Sequence, residues 1–77
     1  MRIAVIVQTR DPHRQSEALR AALGLTLRGS PVEVVVDEPL LTPLAERAAA
    51  TLRSFGHAVG TDLAGAIERA SAVEVWT

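Results

Sequence analysis

The sequence predicts an α/β fold, a small parallel sheet of about four strands with helices on both faces. Three observations predict it. The first strand-like run, Ile3-Ala4-Val5-Ile6-Val7, is continuously apolar and mostly β-branched, the pattern of a strand buried on both faces of a parallel sheet. Strand-like and helix-like segments then alternate to the end of the chain. Each transition carries its own stop or start signal: Pro after Asp or Thr before two helices, Gly after two of them.

Taken in order, the first strand stops at Gln8 and a polar turn follows. Asp11-Pro12 starts a helix, since Asp can cap free N–H groups and Pro suits the first helical position. Ser16 is a second possible start. Gly29 ends this helix at a C′-like position. Over residues 18–28 the apolar side chains Ala18, Leu19, Ala21, Ala22, Leu23, Leu25 and Leu27 spread over more than half the helical circumference. Arg20, Gly24 and Arg28 form the only polar stripe. A helix lying on a small sheet needs an apolar arc of only about 100°. The excess points to a second covered side, with Leu19, Leu23 and Leu27 as candidate contacts between subunits; solvent-tolerated alanines are the other reading.

Val32-Glu33-Val34-Val35-Val36 reads as the second strand. Val32, Val34 and Val36 share a face and Glu33 interrupts the other, which places this strand nearer an edge than the first. Thr42-Pro43 opens a helix over residues 44–55 whose stripe is Leu44, Ala48, Leu52 and Phe55. Gly56 stops it. His57-Ala58-Val59 reads as a brief third strand, and Thr61 or Asp62 caps a short helix running to about residue 70. In the closing strand, Val73 and Val75 take one face and Glu74 and Trp76 the other.

Composition bounds what such a domain can be. The 77 residues make one domain, spanning 1–77, with a core too small for comfortable stability alone. There is no cysteine, so disulfides are excluded, and two histidines make a structural metal a poor expectation. Oligomerisation is the remaining support, as a homo-oligomer or with related subunits. The formal charge of −1 and 48% hydrophobic content describe a globular chain rather than a nucleic-acid binder. No apolar run approaches a membrane span, and Arg2 leads into a strand-like segment rather than a signal peptide, so the expected compartment is cytoplasmic. All basic residues are arginine and asparagine is absent, which fits a thermophilic source or a codon bias.

Two stretches carry a resemblance. "MRIAVIVQT" followed by "QSEALRAALGLTLRGSPVEVVV" resembles the opening of the DsrE/DsrF/DsrH-like families, which include the Tus proteins of bacterial sulfur relay. The match runs over residues 18–29 and 31–36, and "ASAVEVW" is similar to the ending of some members. It covers about half of the chain. The resemblance implies a flavodoxin-like, DsrE-like α/β domain and obligate oligomers. In active members it also implies a persulfide-bearing cysteine beyond the second strand. This chain has no cysteine and is shorter than typical members. The implied role is that of a structural subunit without sulfur chemistry, or of a diverged stand-alone homologue.

The first turn is the candidate site. Gln8, Thr9, Arg10, His13 and Arg14 follow the first strand at a helix N-terminus, where free N–H groups and the helix dipole favour an anion. Thr9, Arg10, His13 and Arg14 define a candidate anion site; a capped, solvated turn is the alternative. No glycine-rich phosphate loop accompanies them. Asp37 and Glu38 end the second strand and read as a polar strand ending or as two ligands of a hard cation. Trp76 reads as a core cap or as an interface anchor. No nucleophile, base and oxyanion donor assemble, so no catalytic residue and no cofactor is expected. The leading expectation is a non-catalytic oligomerising domain. The alternative is a small anion- or nucleotide-binding module using the first turn.

Overall fold

The computed structural model describes residues 1–36 and 39–77. Its elements are β1 (Ile3–Val7), α1 (Pro12–Thr26), β2 (Val32–Val36), α2 (Pro43–Ser54), β3 (Ala58–Gly60), α3 (Leu63–Arg69) and β4 (Ala72–Trp76). The four strands form one parallel sheet in the order β3-β2-β1-β4. Stepping from β1 to β2 to β3 moves one way across the sheet, and the return from β3 to β4 moves the other way. Crossovers of one hand then place α1 and α2 on one face and α3 on the opposite face. The packing follows that layout, with one apolar cluster under α1 and α2 and a smaller one under α3. The order 3-2-1-4 is that of the first four strands of dinucleotide-binding sheets, whereas flavodoxin-type sheets run 2-1-3-4-5.

The main core is built from Ile3, Val5 and Val7 of β1 and Val32, Val34 and Val36 of β2. They meet Ala18, Leu19 and Ala22 of α1 and Ala45, Ala48, Ala49 and Leu52 of α2. The wide apolar arc of α1 is thereby explained within the chain. The sheet covers one side of it and α2 covers the second. Leu19 is fully buried in the chain's own core, and Leu23 is half-buried against it.

Two sequence expectations shift by a face or a place. The buried stripe of α2 is Ala45, Ala48, Ala49 and Leu52, while Leu44 and Phe55 point to solvent. The alanines let α2 approach the sheet and α1 closely, and that close face wins over the bulkier stripe. β2 lies inside the sheet between β1 and β3, one strand from an edge as β1 is, rather than nearer to it. Its Glu33 is tolerated there because Arg69 of α3 neutralises it through two hydrogen bonds, Nε to Oε1 at 3.0 Å and Nη2 to Oε2 at 2.6 Å.

Caps match the sequence signals. Thr42 accepts from the Ala45 N–H, and Asp62 accepts from the Gly65 N–H. Gly29 and Gly56, at φ +84° and +85°, turn the chain out of α1 and α2 in a conformation that side chains with a Cβ resist. His57 stands just ahead of β3 rather than in it, and its Nδ1 accepts from the Val32 N–H at the start of β2.

Candidate functional site

The first turn is closed by its own residues. Thr9 is buried, and its hydroxyl accepts from the Asp11 N–H at 3.1 Å. Asp11 Oδ1 accepts from the N–H groups of His13 at 2.9 Å and Arg14 at 3.4 Å. The donors that would greet an anion at this helix end are thus already turned onto a carboxylate. His13 faces along the outside of α1, where Nε2 lies 2.6 Å from Glu17 Oε1. Arg14 reaches across to the end of β4. Its Nε donates to the Thr77 carbonyl at 2.6 Å, and its guanidinium stands 5.0 Å from the centre of the Trp76 ring. Arg10 is exposed on the turn. The structure therefore separates the four residues: Thr9 turns inward, His13 turns along the helix and Arg14 locks α1 to β4.

In a sheet of this order the strand connections diverge between β1 and β4, which is where such folds usually open a crevice. Here that position is bridged. The Gln8 N–H donates to the Trp76 carbonyl at 2.8 Å, and Arg14 covers the ring beside it. A cleft exists instead at the C-terminal ends of β1 and β2 on the α3 side. It encloses ≈ 70 Å³ among Ile6, Val7, Gln8, Val35, Val36, Thr61 and Leu63. Small-molecule pockets run to about 300–1,000 Å³. Among the described residues none that lines this cleft is charged, and its volume is well below that range.

Two buried polar residues of α1 were not foreseen as a pair. Gln15 Oε1 accepts from the Leu41 N–H at 2.8 Å, and its Nε2 donates to the Pro39 carbonyl at 3.3 Å. The Ser16 and Thr42 hydroxyls share a hydrogen bond of 2.8 Å. Together they fasten α1 to the segment entering α2. The signal was present, because Gln15 falls on the same helical stripe as Ala18, Leu19 and Ala22.

The charged cluster of the molecule lies on the α3 face. Glu33 is gripped by Arg69, with Arg2 3.6 Å away, and Arg69 also reaches Asp62 at 3.3 Å. The Arg69 hydrogen bond holds the Glu33 carboxyl below its ordinary range against the opposing effect of burial. The Gly65 N–H, and then Arg69, do the same for Asp62, and Arg69 itself is pushed upward by both carboxylates. A carboxylate locked this way is a poor base and a poor ligand; its chemistry is structural. Among the described residues no three His, Asp or Glu side chains converge as metal ligands, and every buried side-chain polar atom has a partner. Asp37 and Glu38 lie outside the described residues.

Of the four candidate interface residues, Leu19 belongs to the chain's own core and Leu23 is half-buried against it. Trp76 is half-buried between the core and Arg14, and its Nε1 donates to Glu74 at 2.7 Å. Leu27 alone stands clear, at 81% exposure. Other exposed apolar side chains lie on the opposite face of the sheet. Val73 and Val75 of β4 are 47% and 54% exposed on the α3 face, and Ile67 of α3 is 48% exposed. α3 is too short to cover β4 as well as β1 and β2. No helix among the described residues is long and apolar enough to cross a membrane. No family model, curated protein or solved structure matches this chain.

Proposed function

We propose that this chain is a non-catalytic, self-assembling α/β domain, a structural subunit of the kind that the DsrE-like resemblance implies, without persulfide chemistry. The observation that carries the reading is the open α3 face at β4, where three large apolar side chains, Val73, Val75 and Ile67, stand about half exposed. Val73 and Val75 are neighbours on one face of β4, and exposed apolar side chains grouped in this way mark a contact site. The small core adds to the need for it, since a chain of 77 residues gains stability from a partner. Among the described residues, the locked carboxylates and the capped first turn support a structural role.

A native mass spectrum of the gently purified protein tests this. The reading expects a defined multiple of the 8.2 kDa chain with no stoichiometric small adduct. A single chain at micromolar concentration contradicts it. A retained small molecule contradicts it in favour of the alternative, an anion- or nucleotide-binding module at the first turn.

A further inference from the structure

The two edges of the sheet differ. β3 is three residues long, and the Val59 carbonyl on it is taken by Arg53 Nη2 at 3.0 Å. A short edge capped by a charged side chain is a protected edge. β4 is five residues long and has neither Lys nor Pro, and the arginine at its end, Arg14, takes the Thr77 carbonyl beyond the strand rather than a carbonyl within it. Its inward groups are identified by their bonds to β1: the Trp76 carbonyl accepts from Gln8, and the Ala72 N–H donates to Arg2. Strand alternation then turns the N–H and C=O groups of Val73 and Val75 outward, away from β1.

Resting on the assembly reading above, we infer that the occupant of this edge is a second copy of the chain, its β4 antiparallel to the first about a two-fold axis perpendicular to the sheet. Two four-stranded sheets then join into one of eight strands. Such an axis keeps both α3 faces on one side and brings the exposed valines of the two copies together. Three registers set the outward valines against one another. Setting Val73 against Val75 of the second copy puts Glu74 directly opposite its own counterpart, a like-charge pair. Setting Val73 against Val73 runs the ladder back towards Ser71 and leaves Trp76 unpaired. Setting Val75 against Val75 places Glu74 opposite Trp76 of the second copy, whose ring lies beneath the Arg14 guanidinium. Each carboxylate then meets an arginine of the other chain, twice by symmetry. Charge complementarity selects this last register.

Val75→Pro tests the pairing. The Val75 N–H points away from β1, so proline leaves the β1–β4 ladder intact and removes the two central inter-copy hydrogen bonds. The dimer dissociation constant should rise at least ~100-fold, with an unchanged far-ultraviolet circular dichroism spectrum. Should Val75→Pro fail to fold, Glu74→Arg decides: it sets Arg against Arg14 and should give single chains. A wild-type chain that is monomeric overturns both this inference and the assembly reading. A wild-type oligomer that survives a folded Val75→Pro variant, or survives Glu74→Arg, overturns the β4 pairing alone and leaves assembly through another surface.

Discussion

Arg69 of α3 holds Glu33 of β2 with two hydrogen bonds, at 2.6 and 3.0 Å, and so clamps the short third helix onto the sheet. Glu33 is buried and its carboxyl titrates below its ordinary value of 4.5. The sign of the linkage follows. A depressed folded-state value contributes stability above pH 4.5 that is lost as pH falls through the folded value. Replacing Arg69 by Ala leaves burial dominant over the more distant Arg2, so the contribution should vanish or reverse. Urea unfolding of wild type and Arg69→Ala between pH 3 and 7 should give curves that diverge as pH rises. Parallel curves would show that the clamp does not form.

Leu19 lies within α1 and Leu27, eight residues on, caps its C-terminal end; the two should behave as opposites. Leu19→Ala removes a fully buried side chain from the main core and should cost about 2–5 kcal/mol. Leu27→Ala changes an exposed position and should stay within about 0.5 kcal/mol. Chemical denaturation of the two variants measures the difference. Equal losses would place Leu27 in a buried contact.

Gln15→Leu preserves volume but leaves the Leu41 N–H and the Pro39 carbonyl without partners. The expected loss is about 1–3 kcal/mol, with faster amide exchange at Leu41 than in wild type. A neutral substitution would mean that water replaces both bonds.

Gly65→Ala should fail to stabilise α3, although alanine is the better helix former by about 1 kcal/mol. A Cβ at this position would overlap Asp62 Oδ2 and lie 2.8 Å from Asp62 Cγ and 2.9 Å from Arg69 Nη1. The carboxylate would have to leave the Gly65 N–H that it caps. In an Asp62→Ala background the same substitution should raise the melting temperature by several degrees, about 4–8 °C per kcal/mol for a domain of this size. Equal effects in both backgrounds would refute the conflict.

Much of this fold was legible because its signals are local. The unbroken apolar run of β1, the Asp11-Pro12 and Thr42-Pro43 starts and the glycines at 29 and 56 each specify one element without reference to the others. Tertiary choices were less legible. Helical periodicity could not say whether the second side of α1 meets another chain or α2, because both partners are apolar. It favoured Leu44 and Phe55 for α2, whereas close approach selected Ala45 and Ala49. For the candidate site, spacing placed Thr9, Arg10, His13 and Arg14 at a helix end but could not show that Asp11 fills it or that Arg14 belongs to Trp76. The exposure of Val73 and Val75 depends on how far a seven-residue helix reaches across the sheet, which strand alternation does not encode.

The outward groups of β4 carry the proposed pairing, and amide hydrogen exchange at Val73 and Val75, followed residue by residue over a range of protein concentrations, reads them directly. Paired edges predict that both amides are strongly protected at high concentration and lose that protection on dilution, while the interior amides of β1 stay protected throughout. Rapid exchange at Val73 and Val75 at every concentration, with β1 protected, would contradict the claim that this edge joins two copies of the chain.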